Sequence, residues 1–345
     1  MEKLIQKLSD MRAVSGSEYR INKEIAALFE PYADEVRIDT LGNVAAKIAC
    51  GKDGAPSVML EAHMDEIGLI VTDITDEGFL TVAAIGGVDW RVLPSSVVTV
   101  HGKRDVRGIV GIKPGYLQES GKSPKLTDMA VDTGLSAAEV KEIVSIGDGI
   151  TFPQSVGKLG KKQFSGKTLD DRASVAAIVS AAKRIRELDL NVDVYACAHV
   201  QEEVGCRGAK VSAFGINPDM AIAIDVTHGI TPDNSERAFK VGGGITISAG
   251  PNIHSAMFKR LTEIADKRGI KYAVEVDGGE TGTDAWEIQP ARNGIPTALL
   301  SIPLKYMHTP VETLAISDVE ALSDLLVEFV KEQKEDLLWL SFFGN

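Results

Sequence analysis

Residues 198–209 read "AHVQEEVGCRGA", and the apolar run "VDVYACAHV" at 192–200 leads into them. A run of that length and character is the mark of a buried strand. It ends in two adjacent carboxylates, Glu202 and Glu203, and then glycine, with nothing obvious to compensate the charges. Taken alone, such a pair reads as a strand emerging into solvent. The alternative needs partners elsewhere in the chain.

Outward from this strand, helix and strand patterns alternate. The helix "DRASVAAIVSAAKRIREL" precedes it; "DMAIAID", the helix "SAMFKRLTEIADKRG", "KYAVEV" and "TALLSIPL" follow, and a last major helix is expected after Ser317 with Glu320 at its third position. Towards the N-terminus, residues 2–12 and 16–35 show helical spacing, with Ser15 and Glu18 in a capping-box pattern before the second. "VRIDTLGNVAAKI", with a turn at "LGN", and "SVMLEAHMDEIG" read as extended. Between about 68 and 158 the character changes to short β-like runs, "LIVTDI", "FLTVAAIG", "SVVTVHGK", "VRGIVGIK" and "GITFPQ", interrupted by one short helix opened by Ser136 and Glu139. The expected fold is α/β: a mixed, mostly parallel sheet with helices on both faces, plus an inserted small β-barrel-like domain. The expected domains are a discontinuous α/β unit, 1–67 and 159–345, and an insertion, 68–158.

The chain has 345 residues, 44% hydrophobic and 25% charged, with a formal charge of −12 and no long basic run. This argues against nucleic-acid and anionic-membrane partners. "MEKLIQKLSD" lacks the apolar core of a signal peptide, and no apolar stretch nears the roughly 20 residues of a spanning helix. Cys50, Cys197 and Cys206 lack metal-type spacing and read as reduced thiols of a cytoplasmic protein.

The two glutamates do have company. His63 ends "SVMLEAH", Asp225 ends "DMAIAID", and His308 follows "TALLSIPLKYMH", each just past the carboxyl end of an apolar strand, the edge where open α/β sheets bind ligands. Asp170 in "GKTLDDRAS" opens a helix on the same side. Histidines and carboxylates without cysteine suit Zn²⁺, Co²⁺ or Mn²⁺. The surplus of carboxylates suits a pair of ions roughly 3.5–4 Å apart with one carboxylate bridging, and Asp170 has the short side chain and fixed backbone for that role. Successive residues of an extended chain point oppositely, so one glutamate can bind metal while the other stays protonatable as a general base. Asp65 is placed to accept the second imidazole N–H of His63. In "HTPVE", Thr309, Pro310 and Glu312 read as a capping box that holds His308.

In this order, "HMDEIG" (63–68), "LDDR" (169–172), "QEEVGCRGA" (201–209), "AIDVTHG" (223–229), "GTDA" (282–285) and "MHTPVE" (307–312) resemble the cocatalytic metallo-aminopeptidases of the TET and glutamyl-aminopeptidase type, some of them once described as endoglucanases. The resemblance spans essentially the whole chain. It implies an aminopeptidase with two divalent ions per subunit, zinc or cobalt, acting on peptides through a hydroxide bridging the metals. His63 and Asp225 would hold one metal, Glu203 and His308 the other, and Asp170 would bridge. Glu202 would be the general base and Asp65 the partner of His63. The Asp170–Asp171 peptide bond would be cis, the insertion would be a dimerisation domain, and dimers would assemble into a tetrahedral dodecamer. The rival activities are an amidohydrolase or deacylase using the same metal pair and, less readily, a glycoside hydrolase.

His254, His101 and His199 read as structural, and "VGGGITISAG" as a glycine-rich turn. His228 and Asp284 are open between packing and lining the pocket.

Overall fold

The structure is a computed structural model that describes residues 1–118, 121, 124–153 and 155–340. The run at 192–200 forms the strand Asp193–His199. Val194, Ala196 and Ala198 pack on one side of it and Cys197 on the other, so the run is continuously apolar because both faces are covered. This strand lies third in an eight-stranded sheet ordered Glu35–Ile38, Val44–Ile48, Asp193–His199, Ser57–His63, Met220–His228, Thr297–Leu304, Ile245–Ala249 and Tyr272–Val276. Four of the seven neighbouring pairs are parallel and three antiparallel, the mixed sheet expected. The "LGN" hairpin is closed by Asp39, whose Oδ1 accepts from the amides of Leu41, Gly42 and Asn43.

Helices cover both faces. Leu169–Ile185, Ser255–Arg268 and Ile316–Lys331 share one core, while Arg207–Ile216 and Ala285–Ile288 close the other. The small side chains of "ASVAAIVSAA" let the helix Leu169–Ile185 lie almost wholly buried between the sheet and the C-terminal helix. Burying each valine or isoleucine there contributes about 1.5–3 kcal/mol.

The β-like runs form a closed antiparallel barrel ordered Gly68–Ile74, Leu80–Ile85, Met129–Asp132, Asp105–Ile112, Val97–His101 and Gly149–Thr151. Its third strand comes from "MAVD", four residues with too little alternation to read as a strand. Asp105–Ile112 buries Val106, Gly108 and Val110 in strict alternation, and Leu69, Val71, Val98, Val100, Val131 and Ile150 fill the interior. The Ser136–Glu139 capping box forms as expected. Gln154, the last residue of "GITFPQ", lies outside the described residues.

Three expected caps do not form, two of them because the side chains are engaged elsewhere. Residues 16–35 form the short turns Glu18–Arg20 and Glu30–Tyr32 on either side of a helix Asn22–Phe29; Ser15 and Glu18 bond to Asp65 and Gln201 instead of capping it. "HTPVE" is no helix. Glu312–Ala315 is a strand beside Gln163–Gly166, because the Glu312 carboxylate accepts from the amides of Asp170 and His308. The last helix starts at Ile316, before Ser317, and Asp318 binds the amides of Gly242 and Gly244. "VGGGITISAG" is a turn only at its start; Ile245–Ala249 is a strand.

Candidate metal centre

All five predicted ligand positions meet at the carboxyl edge of the sheet. His63 is the last residue of its strand, Glu202 and Glu203 occupy the turn after His199, and His308 lies in the turn after Leu304. Asp225 differs in detail: its strand continues to His228, because residues 221–228 pair with Thr297–Leu304. Asp170 sits at the broken start of Leu169–Ile185, where the Asp170–Asp171 bond is cis. Among the described residues eight non-glycine residues have positive φ, and five of them, Thr168, Gln201, Cys206, Tyr306 and His308, fall in the turns carrying these side chains. Such backbone costs of the order of 1–3 kcal/mol and clusters at functional sites.

Asp170 is the centre of the arrangement. Its Oδ1 lies 3.1 Å from His63 Nε2 and its Oδ2 lies 3.4 Å from His308 Nε2. Glu203 Oε2 is 3.3 Å from His308 Nε2. One donor atom each from His63, Asp171 and Asp225 falls within a 4.8 Å group, as does one each from His63, Asp170 and Glu203. Asp171 is the residue that sequence reasoning passed over. It is fully buried and neither of its oxygens makes a hydrogen bond at ordinary distance; the doubled aspartate of "LDDR" was the only signal for it.

Glu202 stands apart from this group, its Oε2 4.0 Å from His63 Nε2. The two glutamates diverge because residues 201–206 turn sharply from Gln201 (φ 57°), rather than because an extended strand alternates. Burial pushes the Glu202 carboxyl up to about 8, against the pull of His63 and with the repulsion of Asp284, Glu203 and Asp65. The Glu203 carboxyl also rises, through burial. For Asp170 burial acts upward, but hydrogen bonds from His308 and His63 outweigh it and hold the carboxyl below the usual range. Burial acts downward on His308, and its hydrogen bonds to Asp170 and Glu203 lift it to about 11.

Asp65 fastens two segments together. Its Oδ1 is 3.4 Å from His63 Nδ1, close but not aligned as a hydrogen bond. The same carboxylate accepts from Ser15 Oγ at 2.6 Å and from the amides of Glu202 and Glu203 at 3.1 and 3.3 Å. Glu18 Oε1 accepts from the Gln201 amide at 2.9 Å. Ser15, Glu18 and Glu312 thus hold the turns of the site; no motif marked the first two for this.

The remaining histidines separate by their surroundings. His101 in the barrel has both ring nitrogens bonded, to Asp105 and Thr151. His254 is buried at the start of Ser255–Arg268. His199 packs one layer beneath the site, its Nδ1 2.9 Å from Glu61 and 3.3 Å from Asp284, and so does not crowd it. Asp284 is buried beneath Glu202 and Cys206, and His228 is exposed at the end of its strand.

The profile of the M42 glutamyl aminopeptidase family matches residues 42–325. The lysyl aminopeptidase of Pyrococcus furiosus is 36% identical over 340 residues, 96% of this chain and 97% of that protein. The structure of the aminopeptidase APDkam598 from Desulfurococcus kamchatkensis is 36% identical, with a TM-score of 0.92 over 99% of this chain and 97% of that one. The TET1 peptidase of Pyrococcus horikoshii, which can assemble into a tetrahedron or a large octahedral shell, is 32% identical, with a TM-score of 0.86 over 96% and 99%. These likenesses set the class: a peptide hydrolase of the aminopeptidase type, built on an α/β sheet with a barrel inserted. The chain belongs to the M42 glutamyl aminopeptidase family. Among the described residues no helix is long and apolar enough to cross a membrane, and the three cysteines are free.

Proposed function

We propose that this aminopeptidase works with two divalent cations at the sheet edge, zinc or cobalt, and releases N-terminal residues from peptides. One observation carries the reading: Asp170 presents one carboxylate oxygen to each of two histidines, at 3.1 and 3.4 Å. The donor set fits such a pair. Its carboxylates are buried and crowded enough that several bind a proton more readily than ordinary carboxylates do, and the oxygens of Asp171 have no hydrogen bond; divalent charge would satisfy both.

His63 and Asp225 would hold one cation, Glu203 and His308 the other, and Asp170 would lie between, with Asp171 beside the first. The pair, when bound, supplies Lewis acidity for the scissile carbonyl and acidifies a water. Glu202 stays out of the ligand set, takes the proton of the attacking water and passes it to the departing amine. Its raised affinity for a proton suits that exchange near neutral pH. Asp65 faces His63 Nδ1 and ties the Glu202–Glu203 turn to it, so base and ligand keep their spacing. The free amine of the peptide would anchor at the carboxylate-rich edge.

The reading extends to assembly. Residues 1–67 and 159–345 form the catalytic domain and 68–158 the dimerisation domain, which exposes Ile109 on a barrel strand and Trp90, Tyr116 and Leu117 in the turns between strands; dimers then build a tetrahedral dodecamer. The free thiols suit a reducing cytoplasm.

The decisive experiment assays leucyl-, glutamyl- and lysyl-p-nitroanilides and short peptides before chelation, after it, and after zinc or cobalt is restored. Activity is expected to vanish and return, with single N-terminal residues appearing in the mass spectrum of the products. Hydrolysis that survives complete metal removal, or release of acyl groups alone, overturns the proposal.

A further inference from the structure

The chain leaving the strand Leu80–Ile85 belongs to the inserted barrel, yet its next two residues lie against the site. The Gly87 carbonyl oxygen is 3.1 Å from His308 Nδ1. A carbonyl can only accept, so this contact requires the proton on Nδ1 and makes Nε2, 3.4 and 3.3 Å from the oxygens of Asp170 and Glu203, the nitrogen that would be left to bind a cation there. There is no room for a side chain. A Cβ on Gly87 would sit 2.6 Å from His308 Nδ1 and 2.9 Å from its Cε1. One on Gly86, whose φ is +73°, would sit 2.7 Å from Ile67 Cγ2 and 3.3 Å from Glu203 Oε2. Glu312 fixes the His308 backbone through its amide, but nothing in that contact sets the ring.

We propose that Gly86 and Gly87 are positioning residues for the second cation site, with the Gly87 carbonyl fixing the ring and tautomer of His308, so that the inserted barrel completes a centre otherwise built by the α/β sheet. This rests on the two-cation reading, in which His308 and Glu203 share one ion. Partners of this kind orient a ligating imidazole, and losing them typically weakens metal binding about 10- to 100-fold.

The test titrates metal-free protein with cobalt and counts bound metal per chain in wild type, Gly87→Ala, His308→Ala and Gly115→Ala. Gly115 is on the same domain with nothing within 4 Å of an added Cβ. Wild type and Gly115→Ala are expected to fill two sites, and His308→Ala to lose one. Gly87→Ala should keep the first site and fill the second at least about tenfold more weakly, with peptidase activity rescued by excess cobalt. If His308→Ala loses a metal while Gly87→Ala fills both sites at wild-type concentrations, the positioning role is wrong. If wild type never holds two, the two-cation reading fails instead. Should Gly87→Ala not fold, a crystal structure of cobalt-loaded wild type decides. Nε2 on the ion with Nδ1 bonded to the Gly87 oxygen supports the proposal, and Nδ1 on the ion overturns it.

Discussion

The barrel and the sheet edge bury titratable groups in opposite ways. In the barrel the interior is apolar, and the one buried histidine, His101, has each ring nitrogen 2.8 Å from a partner oxygen. At the sheet edge, His63 Nδ1 and both oxygens of Asp171 lack aligned hydrogen bonds, as do atoms of Glu61, His199 and Asp284 one layer below. An unsatisfied buried group costs about 1–3 kcal/mol, and native proteins rarely keep one without a reason. The contrast therefore separates a histidine whose two ring nitrogens are both bonded within the fold from one whose Nδ1 is not, although both are buried and both have a carboxylate nearby.

The hardest blow to that distinction is Asp170→Asn. An amide offers one acceptor oxygen in place of two, so it cannot face both histidines as a carboxylate does. Peptidase activity is expected to fall to the detection limit with loss of bound metal, while circular dichroism stays native; near-normal turnover would remove Asp170 from the centre. Glu202→Gln comes next. Loss of a general base typically costs about 10²–10⁴-fold in rate, and metal content should not change. Metal lost together with activity would instead move Glu202 among the ligands. Ser15→Ala is expected to be milder. It deletes the 2.6 Å hydrogen bond to Asp65, a bond to a charged group worth about 1.5–3 kcal/mol, and turnover should drop about tenfold. An unaltered rate would show that the two amides suffice to hold Asp65.

How much of this was legible in the sequence follows from what each residue uses. Strand ends were readable because "SVMLEAH" and "VDVYACAHV" bury both faces and then stop at a charge. Four of the five proposed ligand positions, His63, Glu203, Asp225 and His308, followed from that one feature, and Asp170 followed from the helix start in "LDDR". The barrel was readable as β but not strand by strand, since "MAVD" is only four residues long. The supporting groups were legible only in part: Asp65 and Glu312 were read beside the histidines they serve, and Ser15 and Glu18 were not. Ser15, Glu18 and Glu312 have the residue types of helix caps, and local spacing assigns them to the nearest helix. Their partners lie 50, 183 and 142 residues away, and the demand of buried Asp65 and Asp170 and of half-buried Gln201 for partners outweighs a cap worth about 1 kcal/mol. Asp171 escaped because a doubled aspartate looks like a helix start.

The smallest expected effect tests the barrel side of the comparison. Burial lowers the affinity of His101 for a proton below the ordinary imidazole value of 6.5, although Asp105 pulls the other way. The unfolded chain then binds this proton more readily than the folded one. The stability tied to neutral His101 is fully present above 6.5 and is lost as the pH falls through the lower folded value. His101→Gln removes that titration while leaving every sheet-edge group in place, so the difference between the two proteins isolates it. Urea midpoints at about pH 7.5 and about pH 5.5 should show wild type losing more stability on acidification than the variant, whose peptidase activity stays near normal. Equal losses would mean that His101 keeps an ordinary proton affinity. A collapse of metal binding in the variant would place the histidine of the barrel in the centre's service and erase the contrast between the two regions.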